Sequence, residues 1–137
     1  MKVEYFLDTN VLVYAFDPEH SEKQARAREL IVGDRPWVIS WQVVQEFCSV
    51  ALHRFLIPMD TAYLNDFLEL VLAPHCQVYP TPSMWAAALK VREQTQYRFY
   101  DSLIVASALE AGVPVLYSED LEHGREIGAM RILNPFR

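Results

Sequence analysis

Short β-favouring apolar runs alternate with helical stretches along the whole chain, and this alternation limits the possible folds more than any other feature. "VEYFL" (3–7), "PWVIS" (36–40), "CQVYP" (76–80) and "VPVLYS" (113–118) have strand length and composition, and "MRILNPF" closes the chain as a last strand at the edge of the sheet. Between them lie a helix beginning after Asn10, a Ser21-capped helix over 21–31 and a helix over 42–56. Further helices follow over 60–72 from Asp60, over 82–94 with Pro82 near its start, and over 101–112 with Gly112 as its stop. Strands joined through helices require crossover connections, so the sheet should be parallel and covered on both faces. The chain is expected to form a single α/β domain over 1–137, with three layers and a central parallel sheet flanked by helices.

Composition narrows the class. Of 137 residues, 52% are hydrophobic and 22% charged, an ordinary globular balance without low-complexity runs. No apolar stretch approaches the roughly 20 residues needed to span a membrane, and Glu4 interrupts the N-terminal apolar run, which argues against a cleaved leader. Cys48 and Cys76 lack metal-type spacing and read as small hydrophobes in a reducing compartment, so a cytoplasmic protein without membrane association is expected. The net charge of −6 argues against a general nucleic-acid coat protein, which neutralises phosphates with lysine and arginine. An acidic cleft that holds divalent cations is compatible with it.

The acidic residues fall where such a cleft would form. Ligands of open α/β sheets bind beyond the carboxyl ends of the strands. Asp8 ends the first strand, Asp120 follows "VLYS", Glu46 lies on the helix after "WVIS", and Asp101 opens an otherwise apolar helix. On a helical wheel Glu46 shares a polar face with Gln42, Ser49 and His53, opposite a stripe through Val44, Phe47, Cys48, Ala51, Leu52 and Phe55. Each acid also has an ordinary reading: Asp8, Asp101 and Asp120 as helix caps or turn residues, Glu46 as a solvated side chain. Caps leave Glu46 without a task. Converging carboxylates repel by about 1 kcal/mol at 4 Å in water, and about 4 kcal/mol at an effective dielectric near 20, unless a proton or cation intervenes. Oxygen-only ligands suit Mg²⁺ or Mn²⁺, and such an ion serves a metal-dependent nuclease or phosphatase.

With these residues in view, the chain resembles the PIN-domain ribonucleases, especially the VapC-like toxins of bacterial toxin–antitoxin pairs. The matching stretches are "FLDTNVLVYAFD" (6–17), "ISWQVVQEF" (39–47), "FYDSLIVASALEAG" (99–112) and "VLYSEDLEHG" (115–124), in family order over essentially the whole chain. The resemblance implies a PIN fold and metal-dependent endoribonuclease activity that leaves a 5′-phosphate and a 3′-hydroxyl. It assigns Asp8, Glu46, Asp101 and Asp120 to the catalytic acids, with Asp8, Asp101 and Asp120 on Mg²⁺ or Mn²⁺. Asn10 supports the first acid and Ser118 orients water or metal, while Glu119 either replaces or assists Asp120 or is solvated. It also implies an RNA substrate, a cognate antitoxin that can insert a basic side chain into the pocket, and a homodimer, for which the apolar segment 60–72 offers surface.

Other residues carry weaker signals. Arg98, His123 and Arg125 flank the site loops and are candidate RNA contacts, as is Arg92; His53 and the tryptophans Trp37, Trp41 and Trp85 read more simply as surface or packing residues. Two other functions compete. An aspartyl phosphatase would want a second acid where Asn10 stands, and a catalytically idle PIN-like binding or regulatory module would tolerate acid-to-amide changes.

Overall fold

Tyr5, Phe6 and Leu7 are all buried, as expected of a strand enclosed on both faces, and they form β1 (Tyr5–Leu7) at the centre of the sheet. The computed structural model describes residues 2–137. The chain continues through α1 (Thr9–Tyr14), α2 (Ser21–Val32), β2 (Trp37–Ser40) and α3 (Trp41–His53). Next come α4 (Thr61–Phe67), a π-helical turn (Leu68–Leu72), α5 (Ala73–His75) and β3 (Cys76–Val78). The remainder is α6 (Pro82–Thr95), α7 (Phe99–Ala111), β4 (Val115–Tyr117), β5 (Glu126–Ile127) and β6 (Met130–Leu133).

The six strands form one sheet in the order β3-β2-β1-β4-β6-β5. All pairings are parallel except β5 with β6. From β1 the chain steps to β2 and then β3, and afterwards crosses back to β4 on the other side of β1. Right-handed crossovers therefore put α1–α5 on one face and α6–α7 on the other. The reversal also makes the β1/β4 boundary a topological switch point, where α/β sheets leave a crevice beyond their carboxyl ends. Leu7 pairs with Tyr117, and the Asp8 N–H donates to the Tyr117 carbonyl at 3.0 Å, so Asp8 and Ser118 leave the sheet side by side.

Four expectations need correction. The last strand is not an edge: β6 lies between β4 and the two-residue antiparallel β5. The short hairpin between them turns at Gly128 (φ +59°), and two residues are too few to show an alternating pattern. The segment 60–72 is not one regular helix, because Pro74 lacks the N–H that would bond Leu70 and its ring crowds that carbonyl; the chain widens into the π-turn before it. On α3 the buried stripe runs through Val43, Phe47 and Ala51, while Leu52 is exposed. Finally, α7 starts at Phe99 with Arg98 in the cap position, so Asp101 lies in the first turn and is not the cap.

Candidate active site

The switch point opens into a cleft of about 650 Å³ whose walls carry Asp8, Glu46, Asp101, Glu119 and Asp120. They reach it from four different places in the fold. Asp8 ends β1, Glu46 stands on the second turn of α3, Asp101 on the first turn of α7, and Glu119 and Asp120 follow β4.

Asp8 is the most enclosed of them, at 7% exposure. Its Oδ1 accepts the Thr9 N–H at 2.7 Å, capping α1, and its Oδ2 accepts the Ser118 hydroxyl at 2.8 Å. Burial pushes its carboxyl up to about 6. The bonds from Ser118 and Thr9 oppose that rise, and the negative charges of Glu46 and Asp120 add to it. The Asp101 carboxyl is also raised, first by burial and then by Asp120 and Glu46, with Arg98 opposing. The acids thus feel one another across the cleft, and the protein holds them there at an electrostatic cost.

Asn10 ties two of the walls together. Its Oδ1 accepts the Glu119 N–H at 3.1 Å, which turns the amide nitrogen toward Asp8 Oδ2 (3.3 Å) and Asp120 Oδ2 (3.2 Å). Ser118 is fully buried and accepts the Asp120 N–H at 3.3 Å while donating to Asp8. Its hydroxyl therefore links Asp8 to the backbone of Asp120.

Several supporting residues escaped the sequence reading. Thr9 donates its hydroxyl to Glu46 Oε1 at 2.7 Å, and Gln42 donates to Glu46 Oε2 at 3.3 Å and to the Tyr100 carbonyl at 3.1 Å. The i, i+4 spacing of Gln42 and Glu46 on a polar face was the available signal. Glu119 is neither solvated nor equivalent to Asp120: the Tyr14 hydroxyl donates to it at 2.7 Å and the Lys23 ammonium forms an ion pair with it. Burial works to raise its carboxyl, but the bonds from Lys23 and Tyr14 outweigh that and hold it below the usual range. Arg54, also unforeseen, lines the cleft beyond Glu46.

None of the four candidate RNA contacts, Arg92, Arg98, His123 and Arg125, lines the cleft itself. Arg98 is exposed at the start of α7, close enough to act on the Asp101 charge. The His123 Nδ1 accepts the Asn134 N–H at 2.9 Å, and Arg125 pairs with Glu122 at 2.8 Å and donates to the Gln94 carbonyl. Trp37 is buried, and Trp41 and Trp85 are exposed.

Among the described residues, no three His, Cys, Asp or Glu side chains close into a ready-made cage for a cation. The donor set nevertheless fits Mg²⁺ or Mn²⁺. It is all oxygen, Asp8 is buried without a cationic partner, and an ion of this class keeps several waters while taking only one or two carboxylates directly. Asp8, Asp101 and Asp120 are among the carboxylates that line the cleft and could supply its oxygens.

The family model described as PIN domain matches residues 5–125. No curated protein matches the chain by sequence. Among solved structures, a toxin–antitoxin complex from Klebsiella pneumoniae is similar with a TM-score of 0.71 at 15% identity, covering 96% of this chain and 98% of that one. VapC20 of Mycobacterium tuberculosis, a sarcin-ricin loop cleaving toxin, gives 0.64 at 19% identity over 85% and 90%. VapBC2 from Rickettsia felis, bound to a promoter DNA fragment, gives 0.65 at 17% identity over 95% and 97%. At these identities the likeness is one of fold.

Proposed function

We infer that this chain, which belongs to the PIN domain family, is a metal-dependent endoribonuclease and the toxin of a toxin–antitoxin pair. The observation that carries the reading is the group of four carboxylates, Asp8, Glu46, Asp101 and Asp120, around one cleft at the switch point of the sheet. The cap on α1 uses one oxygen of Asp8 but does not require the other acids to gather around it, where charges of one sign oppose folding.

Bound Mg²⁺ or Mn²⁺ would neutralise the bridging phosphate and lower the pKa of a coordinated water. The residues supply the rest. Ser118 and the Thr9 N–H fix the Asp8 carboxylate, and the Asn10 amide spaces Asp8 from Asp120. Glu46, held by Thr9 and Gln42, is the carboxylate available to take a proton from the attacking water. Attack at phosphorus forms one P–O bond and breaks the bond to the 3′ oxygen, which leaves protonated; the products are a 3′-hydroxyl and a 5′-phosphate. Arg98, exposed at the start of α7 and close enough to act on the Asp101 charge, is assigned to a phosphate in this reading. His123 and Arg125 are occupied elsewhere and are not assigned to RNA.

The toxin role draws on the similar folds described as toxin–antitoxin complexes. The partners in this reading are an antitoxin and a second copy of the chain. The fold leaves apolar side chains uncovered on which both can act, including Tyr63 and Leu70 on the 60–72 segment and Trp41, Tyr79, Trp85 and Tyr100 around a hollow beside the cleft. Incubation of the antitoxin-free protein with end-labelled total RNA tests the activity. Discrete cleavage with Mg²⁺ or Mn²⁺, lost with EDTA and in Asp101→Asn, is expected. RNA left intact by folded protein under every metal condition would favour the catalytically idle binding module.

A further inference from the structure

The acidic cleft does not end at Glu46. A second hollow of about 300 Å³ adjoins it, and the two share Val13, Asp17, Val50 and Arg54 as a common border. Beyond the border the floor is apolar: Phe16, Phe55 and Leu56, with Pro18 at its side. Phe16 and Phe55 are stacked at 5.8 Å between ring centroids, and both pack on Phe47, so this wall is rigid. Leu56 is 76% exposed.

Arg54 stands where the hollows meet, at the C-terminal cap of α3. It is the only lysine or arginine among the described residues lining the acidic cleft. It forms no ion pair, whereas Arg26, Arg35, Arg125 and Arg131 are each paired. A free guanidinium presents a planar fork of donors that matches a phosphate. The two acids near it differ in their freedom: Asp17 is engaged by His20 at 2.8 Å, and Glu19 is exposed on the far rim. Glu19 disfavours a second phosphate beyond the hollow.

We propose that Arg54 and the Phe16/Phe55/Leu56 hollow form a subsite for one nucleotide of single-stranded RNA next to the cleaved bond. Arg54 grips the phosphate and the apolar wall receives the base. The assignment rests on the nuclease reading and names the substrate class it requires, because a base paired in a duplex cannot turn into a hollow behind its own backbone. It also meets a difficulty posed by the net charge of −6: with few cations at the cleft, affinity has to come from one well-placed arginine and from base contact.

Binding of a fluorescent single-stranded RNA of mixed sequence tests this by anisotropy across a salt series, in an Asp101→Asn background that prevents turnover. Arg54→Gln should raise Kd about tenfold and reduce the slope of log K against log salt by about 0.7, one phosphate contact fewer. Leu56→Ser should weaken binding several-fold with the slope unchanged, and a duplex of the same sequences should compete poorly. In the active protein Arg54→Gln should raise KM with little change in kcat. An unchanged Kd, slope and KM in Arg54→Gln would overturn the subsite while wild-type cleavage left the nuclease reading standing. Failure of the wild-type protein to cleave RNA at all would remove both.

Discussion

A buried aspartate among other acids is the residue on which this site turns. The folded carboxyl of Asp8 lies near 6 against 3.8 for the free side chain, so the folded state holds the proton more tightly. Below pH 4 the proton is bound in both states and Asp8 costs nothing. As pH rises from 4 to 6 the unfolded chain ionises first, and stability falls by about 3 kcal/mol before levelling off. In chelated buffer, thermal melts of the wild type should therefore lose ground to Asp8→Asn across that window and stay lower at pH 7. Parallel pH curves for the two proteins would refute this. Ser118→Ala removes the buried hydroxyl that joins Asp8 to the Asp120 N–H; a loss of 1–2 kcal/mol is expected by denaturant titration, with a clear fall in cleavage rate. The four acids were legible because each stands at a strand end or on a helix next to one. Thr9, Lys23 and Arg54 were not legible, since their roles exist only across the fold: Lys23 meets Glu119 over 96 positions. The pairing of Arg125 with Glu122 and the Gln94 carbonyl was equally invisible, because nearness in sequence to a site loop says nothing of the direction in which a side chain points.

At the scale of elements, the strands and crossovers were plain in the sequence because period and composition are local properties. What was missed depends on neighbours. The two residues of β5 are a strand only because β6 is beside them, and the π-turn follows from Pro74 acting one turn back. Helix ends carry their own test. Gly112 closes α7 at φ +75° with open space around its missing Cβ, so Gly112→Ala meets strain and no clash. We expect a loss of about 1 kcal/mol in chemical denaturation with metal-dependent cleavage retained, because Asp101 sits at the other end of the helix. A loss of cleavage in that folded variant would show that the position of Asp101 depends on the whole helix.

For the whole molecule, the central sheet and both helical layers serve one edge. The reversal of strand order at β1/β4 is what brings residues 8, 46, 101 and 120 together, while several large apolar side chains stay exposed elsewhere on the surface. If a second copy covers the aromatic face, Trp85→Lys should shift a light-scattering mass toward the 15.9 kDa monomer, whereas an unchanged monomer at every concentration in the wild type would dispose of the dimer. Among the described residues no helix is long and apolar enough to cross a membrane. In the proposed reaction the carboxylates hold a divalent ion for RNA cleavage. Its most direct test is calorimetric titration of Mn²⁺ into the protein alongside cleavage of end-labelled RNA, in wild type and Asp101→Asn. Saturable Mn²⁺ binding and cleavage are expected in the wild type, with both lost or strongly weakened in the variant. Cleavage that persists in Asp101→Asn, or a wild type that neither binds Mn²⁺ nor cuts RNA, would contradict it.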